Sequence, residues 1–265
     1  EGSDAEFIEL MNIHPTAPLD LTGVQFTEGI TFDFAPGTVL APGARLLVVE
    51  NAVVFTAKHG AGLPVAGEYS GNLANGGERL VLSLGGSTAL RDFTYDNNFP
   101  WPTAPDNGGA SLVLIAPQTN PDHANPLNWR ASSSPNPGTS DAAAYAAWKI
   151  ANSQPDDNAD TDGDGLTAFM EYSLGGDPDS PALSPLPTMT RQLDGSALLQ
   201  FTKPLTADDS AWEIQTGSDL SGWSAATDTL VSRNVSGGAE TFEFLVPAAS
   251  FNDTRRFWRL RLQLQ

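Results

Sequence analysis

Arg79-Leu80-Val81-Leu82-Ser83-Leu84, a Gly85-Gly86 pair, and then Leu90-Arg91-Asp92-Phe93-Thr94-Tyr95 form the stretch on which the fold turns. Two short runs of strand-forming side chains flank a paired-glycine turn, and each is too short for a buried helix, which needs roughly 10 to 12 residues. The same rhythm continues on both sides. Phe7-Ile8-Glu9-Leu10 begins a strand, residues 24–34 hold two more around Glu28-Gly29, and Arg45-Leu46-Leu47-Val48-Val49 and residues 111–115 add others. Pro36-Gly37, Pro42-Gly43, Asn75-Gly76-Gly77 and Asn107-Gly108-Gly109 punctuate them. Short strands with Gly and Pro turns at regular spacing predict an all-β sandwich or barrel. No alternation of strand and helix is evident, so a parallel α/β sheet is not expected.

Further along, residues 118–140 turn rich in Pro, Asn and Ser and mark a boundary. A helix is predicted over residues 142–151, capped by Ser140 or Asp141, with Tyr145 and Trp148 one turn apart and Pro155 as its stop. Residues 156–177 read as an acidic loop and a second short helix ended by Gly175-Gly176. The proline-rich residues 178–187 read as a semi-stiff linker. Strands then return at residues 197–201, 212–215, 229–234, 240–246 and 256–264. The last alternates, with Trp258, Leu260, Leu262 and Leu264 on one face and Arg259, Arg261, Gln263 and Gln265 on the other. That period of two is expected of a strand half covered by a core.

Charge narrows the partners. Thirteen basic residues stand against 32 acidic ones, a formal net charge of -19. Such a field repels phosphate backbones and anionic lipid headgroups, so neither nucleic acid nor a membrane surface is an expected partner. It attracts divalent cations instead. The absence of cysteine removes disulfides and thiolate metal sites and is compatible with export. No apolar run approaches the ~20 residues that span a bilayer, so membrane insertion is not expected. The chain begins at Glu1 and carries no signal peptide, which reads as a mature product or as a fragment of a longer precursor.

One motif carries chemistry. Asp160-Thr161-Asp162-Gly163-Asp164-Gly165-Leu166, with Glu171 beyond it, matches D-x-D-x-D-G-x5-E at every defined position. Ca²⁺ is a hard cation that takes roughly six to eight oxygen ligands, and alternate aspartates in a tight loop turn toward one centre. In this reading Asp160, Asp162, Asp164 and Glu171 supply carboxylates, Leu166 a backbone carbonyl, and Gly165 the sharp turn. Water fills the place of a side-chain ligand at Ala168. Pro155 separates the preceding helix from the loop, so this is not a complete helix–loop–helix hand. It resembles the single calcium loops of dockerin and thrombospondin type 3 repeats, which implies a permanently loaded structural site.

Catalysis finds little support. His14, His59 and His123 lie in unrelated turn-like contexts without metal-ligand spacing, and no nucleophile elbow or phosphate loop occurs. Asp92 with Asp96 is a carboxylate pair of the kind glycosidases use, but in so acidic a chain it reads as solvated surface. A carbohydrate-binding patch is a rival: Tyr95, Asp96, Phe99 and Trp101 mix aromatic and polar groups suited to stacking on a glycan. A third possibility is a fibre or surface-layer subunit, assembled through an open sheet edge and the cationic strand holding Arg255, Arg256, Arg259 and Arg261.

A family resemblance adds to this. Phe7-Ile8-Glu9-Leu10-Met11-Asn12, Leu19-Asp20-Leu21-Thr22-Gly23-Val24, Leu40-Ala41-Pro42-Gly43, Gly71-Asn72-Leu73-Ala74-Asn75-Gly76-Gly77-Glu78 and Asp92-Phe93-Thr94-Tyr95-Asp96 with Trp101-Pro102 follow one another in order. Together they resemble a lamin-tail domain of the bacterial secreted type over residues 1–137. The resemblance implies an immunoglobulin-like sandwich, although that family has a further strand before the one at Phe7. The region from Asp160 to the segment Arg255-Arg256-Phe257-Trp258-Arg259-Leu260 is similar to C-terminal regions of exported proteins from verrucomicrobial and planctomycete-like bacteria. The expected architecture is therefore mainly β: two immunoglobulin-like β-sandwiches, residues 1–137 and 183–265, joined by a helical calcium-binding segment, residues 138–182. The expected role is a non-enzymatic, Ca²⁺-stabilised adhesion or scaffold region of a secreted or cell-surface protein. Its expected partners are further protein copies, by self-association, or extracellular polysaccharide.

Overall fold

A computed structural model describes residues 5–105, 109–132, 135–139, 144–183, 185–252 and 255–264. The chain is mainly β and divides into two compact units, residues 1–140 and 141–265. The proposed helix caps Ser140 and Asp141, part of the Asn107-Gly108-Gly109 turn, and Gln265 lie outside the described residues.

In the first unit the chain runs β1 (Phe7–Met11), β2 (Leu19–Asp20), β3 (Val24–Glu28), β4 (Ile30–Asp33), β5 (Val39–Leu40) and β6 (Arg45–Val49). Helix α1 (Ala52–His59) follows, then β7 (Val65–Glu68), β8 (Ser70–Gly71), β9 (Arg79–Leu84), β10 (Thr88–Thr94), β11 (Leu112–Leu114) and β12 (Trp129–Ala131). The two larger sheets have the orders β1-β6-β7 and β10-β9-β3-β4-β8. They share one core, in which Val48 and the flanking Ile8 and Leu10 meet Val24, Phe26, Ile30 and Leu80. Strand β6 is apolar at consecutive positions because both of its faces are covered. Val48 enters that core, while Leu47 and Val49 enter a second one with Phe55 of α1.

The β6–α1–β7 unit corrects one sequence expectation. β6 and β7 pair in parallel, Leu47 opposite Val65 and Val49 opposite Glu68, with a helix between them. Asn51 starts that helix by accepting from Val53 N at 3.0 Å and Val54 N at 3.1 Å. Phe55, fully buried, fastens it; burying such a side chain stabilises by about 1.5–3 kcal/mol.

The second unit runs α2 (Ala144–Ala151), α3 (Ala168–Leu174), β13 (Thr188–Arg191), β14 (Ala197–Pro204), β15 (Ser210–Gly217), β16 (Ser224–Ala225), β17 (Thr229–Ser236), β18 (Ala239–Val246) and β19 (Phe257–Leu264). Two sheets, β13-β14-β18-β17 and β16-β15-β19, enclose Leu199, Phe201, Ile214, Phe242, Phe244 and Val246. In β19 the alternation holds over its first part: Trp258 and Leu260 pack on the core while Arg259 and Arg261 are exposed, but Leu264, expected on the covered face, is exposed at the strand's end. β19 pairs with β15 along its whole length, Phe257 opposite Gly217 through Leu264 opposite Ser210. The segment expected to join two sandwiches, α2 through residue 182, falls with this second unit.

Candidate metal centre

The loop between α2 and α3 is folded by its own aspartates. Asp160 Oδ1 accepts from Gly163 N at 2.9 Å and Asp160 Oδ2 from Gly165 N at 3.1 Å. Asp162 Oδ1 accepts from Asp164 N at 3.2 Å, and Asp164 Oδ1 from Leu166 N at 2.7 Å. Gly163 and Gly165 take φ values of 79° and 93°, a backbone that other residues adopt only under strain. The turns bring oxygens of Asp160, Asp162 and Asp164 within 4.8 Å of one another. Two backbone bonds close the loop at its base: Ala168 N to Ala159 O at 2.7 Å and Phe169 N to Asp157 O at 3.3 Å.

Glu171 stands in the first turn of α3, outside the group whose oxygens lie within 4.8 Å of one another but close enough to feel the charges of all three aspartates. Thr167 caps that helix through Met170 N at 3.4 Å, and Gly175 ends it in the left-handed conformation. Packing and two side-chain hydrogen bonds hold α3 in place. Tyr172 packs among Tyr145, Trp148 and Phe169 and donates its hydroxyl to buried Asp209. Asp209 also accepts from Tyr145 N at 2.9 Å. Ser210, the first residue of β15, donates to Ser173 Oγ at 2.7 Å.

The consequence is an uncompensated carboxylate. Glu171 is 2% exposed, its Oε1 has no hydrogen-bond partner, and neither does Asp162 Oδ2. Burial, and after it the negative charges of Asp162, Asp164, Asp160 and Asp177, push Glu171 up to about 7. An ionised carboxylate buried without a counter-charge costs several kcal/mol. The donor set here is all hard oxygen, the kind Ca²⁺ takes, and the residues present fit that ion. Asp160, Asp162, Asp164 and Glu171 would hold it. Leu166 lies in the same turn with its N–H bonded to Asp164 and its side chain 2% exposed, anchoring the loop in the core.

The four residues considered for glycan stacking are placed differently. Trp101 is buried, 6.1 Å from the ring of Trp129. The hydroxyl of Tyr95 is committed to Ala74 O at 2.9 Å and Glu78 at 3.0 Å, and its ring lies against the first core. Asp96 accepts from Asn98 N and Nδ2, both at 2.8 Å. Of the three rings, Phe99 alone is largely exposed. No open aromatic platform forms from this set. The Asp92–Asp96 pair is likewise divided, since Asp92 is held by Arg79 at 2.8 and 2.7 Å. His14 accepts two backbone N–H groups, His59 packs on Phe7 and Phe55, and His123 on Phe93 and Trp129.

Two features escaped the sequence reading. Ala182 N donates to Asp164 Oδ2 at 2.9 Å, so the proline-rich segment is tied to the acidic loop. Asp209 anchors both helices, yet Ala207-Asp208-Asp209-Ser210 reads as an ordinary acidic turn. No protein-family model, curated protein or solved structure matches the chain. No helix among the described residues is long and apolar enough to cross a membrane.

Proposed function

We propose that the loop from Asp160 to Glu171 binds one Ca²⁺ and that this ion stabilises the second unit. The buried, unpartnered carboxylate of Glu171, set against three clustered aspartates, carries this reading. Bound there, the cation supplies the positive charge that the three clustered aspartates and the nearby Glu171 lack. The chain's own contribution is positional. Asx-type bonds from the aspartates shape the loop, and the Tyr172–Asp209 and Ser210–Ser173 contacts hold α3 so that Glu171 faces inward.

Around that site the chain is a non-catalytic accessory or scaffold region of a secreted or cell-surface bacterial protein, built of two immunoglobulin-like sandwiches. It serves adhesion or assembly, through self-association. The strongly acidic charge, the lack of cysteine and the lamin-tail resemblance of residues 1–137 support this. Extracellular calcium is abundant enough to fill a site with a Kd near or below roughly 1 mM.

Isothermal titration of chelator-treated protein with CaCl₂ tests the site. The expected result is one ion per chain, with binding weakened ~10-fold or more in Glu171→Gln, because a ligand carboxylate is lost. Absence of calcium binding at about 10 mM, well above the extracellular range, contradicts the proposal.

A further inference from the structure

Resting on that calcium site, the geometry points to a cleavage site at residues 179–183 that the bound ion shields from proteolysis. The segment follows α3, and residues 179–183 are all exposed, with Leu183 at 59%. Its local bonds are short-range, Asp179 N to Asp177 Oδ1 at 3.1 Å and Ser180 N to Asp177 O at 3.0 Å. Among the described residues, the single hydrogen bond tying 179–183 to a distant part of the chain is Ala182 N to Asp164 Oδ2 at 2.9 Å. A protease must draw such a segment into an extended conformation, and exposed loops held by few bonds yield to it first.

The acceptor of that bond is itself a metal ligand. Asp164 Oδ1 is already used by Leu166 N, so the carboxylate is oriented from both ends, by its own loop and by Ala182. Without a cation the oxygens of Asp160, Asp162 and Asp164 repel at separations under 4.8 Å. The loop relaxes by turning carboxylates outward, and when Asp164 turns, Ala182 is released. Pro178, buried at the start of the segment, then acts as the fixed point from which the rest swings out. Calcium occupancy and cleavage are thereby opposite faces of one equilibrium.

This makes a quantitative demand. When opening and closing are fast relative to cutting, cleavage follows the population of the open form. The rate then falls as 1/(1 + [Ca²⁺]/Kd), about 11-fold at ten times Kd. The test digests the full chain with pancreatic elastase, which cuts after small residues such as Ala182, across a calcium series. Rates are normalised to a free peptide of residues 177–187 at the same calcium concentrations, and the cut is located by mass. The expected result is cleavage at 179–183 that is half suppressed at the Kd found by titration. Calcium binding that leaves this cleavage unchanged, or protection with a midpoint far from Kd, overturns the inference and leaves the metal site standing. Absence of calcium binding removes both.

Discussion

Two buried carboxylates of the second unit make opposite arrangements for their charge. Glu240, on β18, meets Arg233 across the β17–β18 hairpin, Nε to Oε1 at 2.6 Å and Nη2 to Oε2 at 3.2 Å, both side chains almost wholly enclosed. The guanidinium also lies 5.2 Å from the ring centre of Phe242. Glu171, equally enclosed, has no cation paired with it among the described residues and four aspartates acting on it. Asp209 stands between them, neutral donors from Tyr172 and Tyr145 N serving in place of a cation. Where the fold intends a carboxylate to be structural it supplies donors. At Glu171 the neighbouring side chains are carboxylates, the loop's backbone donors are spent on the aspartates, and the proposed ion would offset that asymmetry.

The comparison is broken most severely by removing the internal cation. Arg233→Met removes the two-bond partner of the enclosed Glu240 and leaves Lys203, its cross-strand neighbour on β14, as the nearby cation; it is expected to destabilise the second unit by up to about 3–5 kcal/mol in urea unfolding. Adding Glu240→Leu to it should restore most of the loss, since a well-packed apolar pair often replaces a buried ion pair at little cost. If the single variant unfolds like wild type, enclosure is not what makes a carboxylate demand a partner here.

A somewhat smaller effect comes from pH. In chelator, folded Glu171 keeps its proton up to about pH 7, while the unfolded chain releases it near the ordinary glutamate value of 4.5. Between those values the folded state binds the extra proton, so stability falls as pH rises and levels off above pH 7. The contribution is about 3 kcal/mol in size. It is isolated by subtracting the pH profile of Glu171→Gln, which lacks the group, from that of wild type. Saturating calcium should abolish the difference in slope. A flat difference profile in chelator would mean Glu171 is already compensated. The smallest effect belongs to Asp209. Tyr172→Phe removes one of its donors but leaves Tyr145 N, and should cost about 1–2 kcal/mol by thermal or chemical melting.

How much of this could be read beforehand differs along the chain. The clustering of Asp160, Asp162 and Asp164 was legible because alternate aspartates in a tight, glycine-bearing turn face one centre. Strand β19 was legible because Trp258, Leu260 and Leu262 alternate with Arg259, Arg261 and Gln263. Helix α1 was not. Its Val53-Val54-Phe55 run has strand-forming side chains, and only the cap by Asn51 and the burial of Phe55 make it helical. β7 was missed because Val65-Ala66-Gly67-Glu68 carries little strand character. Gly67 lies under Phe32, whose Cε2 would be 2.9 Å from an added Cβ, so the packing dictates the residue there. The Arg233–Glu240 pair was hidden because an arginine in a strand gives no sign of which face it takes until the hairpin register is known. Local chemistry is written in spacing, whereas compensation between distant residues is written in register.

The most direct test of the central claim is a crystal structure of the chain grown with calcium, with anomalous scattering used to locate the ion. The account predicts one peak inside the loop, with carboxylate oxygens of Asp160, Asp162, Asp164 and Glu171 at about 2.3–2.6 Å from it. A loop without such a peak at saturating calcium, its Glu171 carboxylate hydrogen-bonded to water or to protein donors, would contradict it.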